Sequence, residues 1–188
     1  MGLEKTFGEF AICLQRLDDR LKELGLTVEL DRPERNDARV VDGFEYAVLD
    51  LDGWVKETLH HARIAEKSVR HTVELEKARH ALIICQERFQ RIEELFFGKL
   101  VSYEGLNELI NFGAERRGEW RSWVTSVRKG LEMCREPLDD VRKKLAECWQ
   151  EITERVGMTS VSVQNTSIGQ NIVSKAPATE HASSEEIS

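Results

Sequence analysis

The sequence predicts an all-α protein, an up-and-down bundle of four or five helices over residues 2–157 followed by a C-terminal tail. Apolar residues recur at alternating spacings of three and four, which is typical of helices that pack side by side. No proline occurs between Val40 and Phe97, so helix can continue through most of that range. The 3 prolines and 7 % aromatic residues also argue against a turn-rich β-sandwich.

The first predicted helix carries one regular apolar stripe, whose spacing indicates packing against other helices at a shallow angle. Gly25 is expected to end this helix, and residues 26–39 are expected to form a charged loop. Leu26, Val28 and Leu30 of that loop are expected to lie over the bundle. The stripe consists of Leu3, Phe7, Phe10, Leu14, Leu17, Leu21 and Leu24.

Residues 40–97 contain two apolar stripes that do not share one register, because the pattern slips over the polar residues 70–76. We expect two antiparallel helices joined there by a hairpin. The alternative, one helix of about 55 residues, would extend roughly 80 Å and project beyond a core of this size. The first stripe is Val41, Phe44, Val48, Leu51, Val55, Ala62, Ala65 and Val69. The second is Ala78, Leu82, Cys85, Phe89, Ile92 and Phe96.

A break is predicted over Gly98–Gly105, with Ser102 as the N-cap of the next helix. A second regular stripe follows, and Pro137 lies inside it, so the helix is expected to kink or restart near Glu136. Gly157 is expected to end the ordered body. This stripe is Val124, Val127, Leu131, Cys134, Leu138, Val141, Leu145, Cys148, Ile152 and Val156.

Charge and hydropathy limit the partners and the compartment. The 27 basic and 34 acidic residues give a net charge of -7, which would repel nucleic acid. The N-terminus lacks a secretory pattern, and no run approaches the roughly 20 apolar residues needed to cross a bilayer. We expect a cytoplasmic protein without stable membrane insertion.

The sequence contains few candidates for chemistry. Glu57 and His60 have the E-x-x-H spacing of ferritin-like metal bundles, with His61 and His80 further along, but the second E-x-x-H of that class is missing. No nucleophile elbow, phosphate loop or H-E-x-x-H motif occurs. We therefore expect neither an enzyme nor a metal or cofactor. The cysteines, Cys13, Cys85, Cys134 and Cys148, are expected to be buried thiols without a C-x-x-C pair.

Two tryptophans and three arginines lie close together in sequence and are candidates for a protein interface, since both residue types are enriched there. The alternative is ordinary packing, with arginine stacked on tryptophan inside the bundle. The candidate residues are Arg116, Arg117, Trp120, Arg121 and Trp123.

The tail changes composition abruptly, with an uncharged, β-prone segment at residues 158–176 and an acidic end at residues 177–188 that we expect to be disordered. β-Branched residues interleaved with Asn and Gln favour in-register stacking of strands from several chains. Addition of one strand to a partner, or an inert tether, remain alternatives. The candidate assembly residues are Val161, Val163, Gln164, Asn165, Ile168, Gly169, Gln170, Asn171, Ile172 and Val173.

A helical bundle followed by a short Asn/Gln/Val/Ile/Gly motif resembles HeLo-like proteins and the helical N-terminal domains associated with fungal STAND receptors. That resemblance implies amyloid-type signalling in immunity or cell death through the tail. Val163-Gln164 and Ile168-Gly169-Gln170 are similar to the apolar-Gln and apolar-Gly elements of RIP homotypic interaction motifs, in a different order. Glu4, Lys5 and Glu9 interrupt the apolar first helix that membrane lysis requires in this group.

These observations predict a cytosolic protein-interaction module in a signalling or defence system, whose partners are another protein or further copies of the chain. The tail is expected to self-assemble or to add as a strand to a partner. One alternative is a structural coiled-coil adaptor whose stripes pair between subunits. A less favoured alternative is a metal-dependent bundle enzyme that uses Glu57 and His60.

Overall fold

The computed structural model describes residues 2–30, 32–33, 38–111 and 117–159, which form five α-helices. A 3₁₀ turn, Thr72–Glu74, precedes the third helix, and a π-helical turn, Phe96–Val101, follows it. No strand occurs in these ranges, so the predicted all-α bundle is confirmed. The helices are α1 (Leu3–Leu30), α2 (Ala38–Ser68), α3 (Leu75–Leu95), α4 (Gly105–Asn111) and α5 (Arg117–Thr159).

The first long helix, α1, runs antiparallel to both of its neighbours. Arg63 of α2 donates a hydrogen bond to Gln15, and Lys56, two turns earlier on α2, reaches Asp18 further along α1. On the other side, α5 runs antiparallel to α1. The hydroxyl of Thr6, near the start of α1, donates a hydrogen bond to Glu151, near the end of α5. This arrangement places α1 between α2 and α5.

The bundle is completed by α3, which lies between α2 and α5. Arg88 of α3 pairs with Glu57 of α2, and Glu93 of α3 pairs with Arg142 of α5. Trp149, two turns after Arg142 on α5, donates to Gln86, two turns before Glu93 on α3, so α3 and α5 are antiparallel. The short turn between Ser68 and Leu75 makes α2 and α3 antiparallel as well. The four long helices therefore alternate in direction, which is the up-and-down topology expected from the sequence.

The predicted apolar stripes form one buried core. Every residue of the α1 stripe and of the α5 stripe is buried, as are the two stripes of α2 and α3. A methyl group added to Gly130 of α5 would lie 2.9 Å from Leu24 of α1, so the missing side chain lets these helices approach closely. No helix in the described ranges combines the length and the apolar character needed to cross a bilayer.

The prediction that Gly25 ends α1 is wrong, since the helix continues for another turn to Leu30. A glycine inside a helix costs only about 1 kcal/mol relative to alanine, and packing of the flanking turns outweighs that cost. Leu24 and Val28, which lie before and after Gly25, are both 1 % exposed and pack in the core. The predicted loop over residues 26–39 is therefore wrong for residues 26–30, which belong to α1, and for residues 38–39, which begin α2.

The hairpin predicted over residues 70–76 is confirmed, because α2 ends at Ser68 and α3 begins at Leu75. The expected restart near Pro137 is wrong, since α5 is one helix of 43 residues that contains this proline. Proline removes one backbone hydrogen bond, but buried residues on both sides, Cys134 and Leu138, hold the helix against the core.

Two predicted helix boundaries also shift. Ser102 does not cap the following helix, because its hydroxyl donates 2.8 Å to the carbonyl oxygen of Phe97, and α4 begins only at Gly105. At the C-terminal end, α5 continues past Gly157 to Thr159. Both differences are of a few residues and leave the order of the elements as predicted.

The short helix α4 is attached through Tyr103, which precedes it. Its hydroxyl donates 2.7 Å to the carbonyl oxygen of Val40, and its ring stacks on Phe44 with centroids 5.5 Å apart. A side chain on Gly43 would collide with this tyrosine, since an added Cβ atom would lie 2.6 Å from the hydroxyl oxygen. A Cβ atom added to Gly105 would lie 3.0 Å from the tyrosine ring. The connection between α3 and α5 is thereby fixed to the start of α2.

The buried stripe of α1 makes its truncation costly. Leu14→Ala is expected to lower the free energy of unfolding by about 2–5 kcal/mol, because the side chain is fully buried and leaves a cavity. The matched variant Ile12→Ala, at a position 53 % exposed on the same helix, is expected to change it by less than about 0.5 kcal/mol. Urea unfolding followed by far-UV circular dichroism measures both, and equal losses would contradict the assigned burial.

Candidate functional site

The two tryptophans proposed from sequence as interface residues lie inside the bundle. Trp120 and Trp123 are each 1 % exposed, and their rings meet edge to face with centroids 5.7 Å apart. The indole of Trp123 donates 3.2 Å to the carbonyl oxygen of Val28, in the last turn of α1. Carbonyls in a last turn lack helical partners, so this contact completes the helix end and gives the tryptophans a structural role. The ordinary-packing alternative is thus the correct one for both.

Of the three arginines in the same group, Arg121 is the one whose side chain the structure describes. Arg121 is exposed on α5 and stays a candidate contact residue. Arg117 begins α5, and Arg116 lies outside the described residues. The candidate assembly residues of the tail, Val161 to Val173, also lie outside the described residues.

The E-x-x-H residues do not converge on a metal centre. Glu57 forms its ion pair with Arg88 at 3.4 Å, and the Nδ1 atom of His61 lies 2.9 Å from the carbonyl oxygen of Glu57. His60 and His80 are exposed on different helices. Across the described ranges, no three His, Cys, Asp or Glu side chains are placed to hold one ion.

The four cysteines are buried and unpaired, as expected from the sequence. The thiol of Cys85 donates to the carbonyl oxygen of Thr58 at 3.6 Å. Burial raises the pKa of both Cys85 and Cys134 to about 12, so these thiols stay protonated and unreactive near neutral pH. They pack as small apolar side chains.

A groove of about 340 Å³ lies on the outer surface between the end of α1 and the first half of α2. Apolar side chains supply most of its lining, and the space above Gly25 is open because no atom lies within 4 Å of an added Cβ. Leu26 of α1 and Leu49 of α2 face each other across it, 55 % and 59 % exposed. We call this feature the α1/α2 groove.

Two further large apolar residues lie on the turns next to the groove-lining leucines. Leu30 lies one turn after Leu26 and is 74 % exposed, and Tyr46 lies one turn before Leu49 and is 73 % exposed. We call these four exposed side chains, Leu26 and Leu49 in the groove and Leu30 and Tyr46 on the neighbouring turns, the apolar patch.

The sequence analysis missed this patch, although a signal was present. Leu26 and Leu30 fall between positions of the α1 stripe, which continues from Leu24 to the buried Val28. Tyr46 and Leu49 are likewise out of phase with the α2 stripe. Large apolar residues outside a regular stripe indicate a second apolar face, but the predicted loop at residues 26–39 hid this pattern on α1.

A cluster of ionisable groups lies directly beside the groove. Asp18 is 3 % exposed, and its carboxylate forms ion pairs with Lys22 at 3.1 Å and with Lys56 at 3.2 Å. Lys56 also pairs with Asp52, which lines the groove. The buried carboxylate of Asp18 thus joins α1 to α2 through Lys56, and Lys22 of α1 itself is its second cationic partner.

The two carboxyl groups of the cluster have pKa values shifted in opposite directions. Burial raises the pKa of Asp18, but hydrogen bonds from Asp52, Lys22 and Lys56 outweigh it, so the pKa lies below 3.8. For Asp52, burial and the hydrogen bond to Asp18 raise the pKa above 3.8 and outweigh Lys56. The Oδ1 atom of Asp52 is buried without a hydrogen-bond partner, while its Oδ2 atom pairs with Lys56.

Asn substitutions distinguish the two carboxyl groups. Asp18→Asn is expected to lower the free energy of unfolding at pH 7 by about 1–3 kcal/mol, since two lysines lose their buried anion. The contribution of Asp18 is present above the unfolded pKa and is lost as pH falls, because its folded pKa is lowered.

Asp52→Asn has the opposite pH signature. The wild type loses stability as pH rises from about 4 through the raised folded pKa of Asp52, because the folded chain must then give up a proton it prefers to keep. Asp52→Asn removes this loss, so its stability relative to wild type is expected to rise with pH. Urea unfolding between about pH 2 and pH 8 measures both variants, because the Asp18 contribution is lost below the unfolded pKa and the Asp52 contribution above it. A stability of Asp52→Asn relative to wild type that falls with pH would contradict the assignment.

Comparisons with known proteins add no relative. No protein family matches this chain, and neither the curated proteins nor the solved structures provide a match. Function is therefore argued from the residues of this chain alone.

Proposed function

We propose that this chain is a cytosolic, helical protein-interaction module of a signalling or defence system, and that the α1/α2 groove binds its partner. The observation that carries this proposal is the apolar patch, four large side chains left more than half exposed, two of them in the lining of the groove and two on neighbouring turns of the same helices. Single exposed apolar residues are ordinary, but a contiguous group rimmed by charges is typical of interaction sites.

The energetics of the patch support binding. Moving a leucine or a similar side chain fully out of water contributes roughly 1.5–3 kcal/mol, and most of that gain is still available at each of these four positions. The helices that carry them are already held by the core and by the Asp18 cluster. A partner therefore binds a preformed surface and loses little free energy in ordering it.

The tail supplies the second part of the proposed function, self-assembly or strand addition through Ser160–Val173. This part rests on composition, since the segment is uncharged and alternates β-branched residues with amides. It follows Thr159, at the end of the bundle where α1 begins, whereas the groove lies near the end of α1.

The packing of the stripes bears on the coiled-coil adaptor alternative. The stripes of α1 and α5 are buried against each other and the neighbouring helices within one chain. They are therefore used inside the folded chain rather than left to pair between subunits. The interaction module with an external groove is the better-supported function.

Removing the apolar patch is expected to abolish partner binding. The double variant Leu26→Ser/Leu49→Ser should weaken capture of the partner by at least about tenfold, because both side chains line the centre of the groove. Quantitative capture from source-cell extracts, with wild type and variants processed in parallel, measures this loss.

Val73→Ser is the matched control, since Val73 is 93 % exposed in the turn between α2 and α3, at the other end of the bundle. Its capture should equal that of the wild type. Circular dichroism should show the same helix content for all three chains. Equal capture of partners by Leu26→Ser/Leu49→Ser and by the wild type would contradict the proposal.

The tail is tested separately. Val163→Asp or Ile168→Asp is expected to abolish any assembly, because a charge repeated at every layer of a strand stack repels its neighbours. A chain ended at Thr159 should behave in the same way, and the helical signal should be unchanged in each case. Sizing and fibre diffraction at the roughly 4.7 Å strand repeat provide the measurement, and assembly that survives these changes would refute the role of the tail.

A further inference from the structure

Residues 102–111, which follow the π-helical turn and contain α4, form a short segment that we call the strap. It is docked on the start of α2 through one side chain. The hydroxyl of Tyr103 donates 2.7 Å to the carbonyl oxygen of Val40, and its ring stacks on Phe44, which is fully buried. The strap therefore covers the core at the end of the bundle where α2 begins.

The strap has little intrinsic stability. Its helix α4 has 7 residues, and helices shorter than about 12 residues are marginal in water unless they are packed against other elements. Leu106 and Leu109 are its fully buried large side chains, whereas the stripe of α1 is buried along the whole helix. Segments with few buried apolar contacts open at a lower free energy than the core of the same protein.

The hydrogen bonds of the strap are mostly its own. In the described part of the chain, its main-chain N–H groups donate to carbonyls within the strap or to Leu100 of the π-helical turn. Two polar contacts connect the described strap to other helices, the bond from Tyr103 to Val40 and a 2.6 Å bond from Arg128 of α5 to Asn107. The second lies on the exposed surface, where water competes for both groups. The tyrosine is thus the main polar contact that holds the strap.

The surface of α2 is shaped to receive this tyrosine. A Cβ atom added to Gly43 would lie 2.6 Å from the hydroxyl oxygen of Tyr103, so the tyrosine occupies the space that a side chain would need. A glycine inside a helix costs about 1 kcal/mol relative to alanine. The chain thus gives up helix stability at the position where Tyr103 docks, which indicates a specific docking site.

We infer that the strap opens as a unit while the four long helices stay folded, and that Tyr103 is the latch that holds it closed. Opening separates Tyr103 from Val40 and Phe44 and melts α4, because a helix of two turns does not persist without packing. The ring of Phe44, 0 % exposed in the closed chain, then becomes accessible. This surface is separate from the α1/α2 groove, so the inference is independent of the proposed function.

Hydrogen exchange of the full-length chain, followed by mass spectrometry at several urea concentrations, tests the opening. Amides of α4 are expected to exchange at least about tenfold faster than those in the middle of α1. Their exchange should also depend less on urea, because local opening exposes less surface than global unfolding. Equal rates and equal urea dependence in α4 and α1 would mean that the strap opens only with the whole bundle, and would overturn the inference.

Tyr103→Phe tests the latch, since it removes the hydroxyl and keeps the ring. Exchange in α4 is expected to accelerate by about two- to tenfold, as the loss of one hydrogen bond implies, with no change in α1. Tyr46→Phe is the matched control, because Tyr46 is the other tyrosine and is 73 % exposed on the helix that receives the strap. It should leave exchange unchanged. No acceleration in Tyr103→Phe, or an equal acceleration in α1, would overturn the role of Tyr103.

Gly43→Ala separates release of the strap from a general loss of stability. Alanine favours the helix but its Cβ atom collides with the latch, so exchange in α4 should accelerate while exchange in α1 is unchanged or slower. Gly53→Ala supplies the same gain in α2 without a collision, since no atom lies within 4 Å of an added Cβ, and should not accelerate α4. Equal exchange of α4 in the two alanine variants would overturn the inference.

Discussion

The antiparallel packing of α1 against both α2 and α5 is the constraint on which the rest of the structure depends. A helix that buries side chains on two sides has little room for polar groups, and those it carries must find partners. Thr6 bonds Glu151 at 2.7 Å, and Asp18 is held by Lys22 and Lys56. The polar contacts that cross the bundle are thus consequences of where α1 lies.

The same packing creates the candidate site. Once the α1 stripe is buried against α2 and α5, residues out of phase with it face outward, and two of these are Leu26 and Leu30. Antiparallel pairing with α2 then brings Leu49 to the same groove as Leu26. A preformed apolar groove follows from the register of two helices and needs no loop or cofactor to shape it.

The buried ion cluster connects stability to this surface. Asp52 belongs both to the lining of the groove and to the cluster that holds Asp18. Its raised pKa means that the folded chain favours the proton, whereas Asp18 favours ionisation. A ligand that places a cation near Asp52 would favour its ionised form, so binding and the protonation of the cluster are linked.

The sequence by itself determined the helical class, the stripes that form the core, the hairpin between α2 and α3 and the buried cysteines, because hydrophobic periodicity is a local property of the chain. Only the tertiary structure decided that α1 passes through Gly25, that α5 passes through Pro137, and that Trp120 and Trp123 are core residues. At Gly25 and Pro137, packing of neighbouring turns outweighs a local preference worth about 1–3 kcal/mol, whereas the two tryptophans are buried by the packing of α5 against the other helices. The groove was beyond sequence reasoning for a related reason, since its residues come from two helices and meet only when antiparallel packing sets their register.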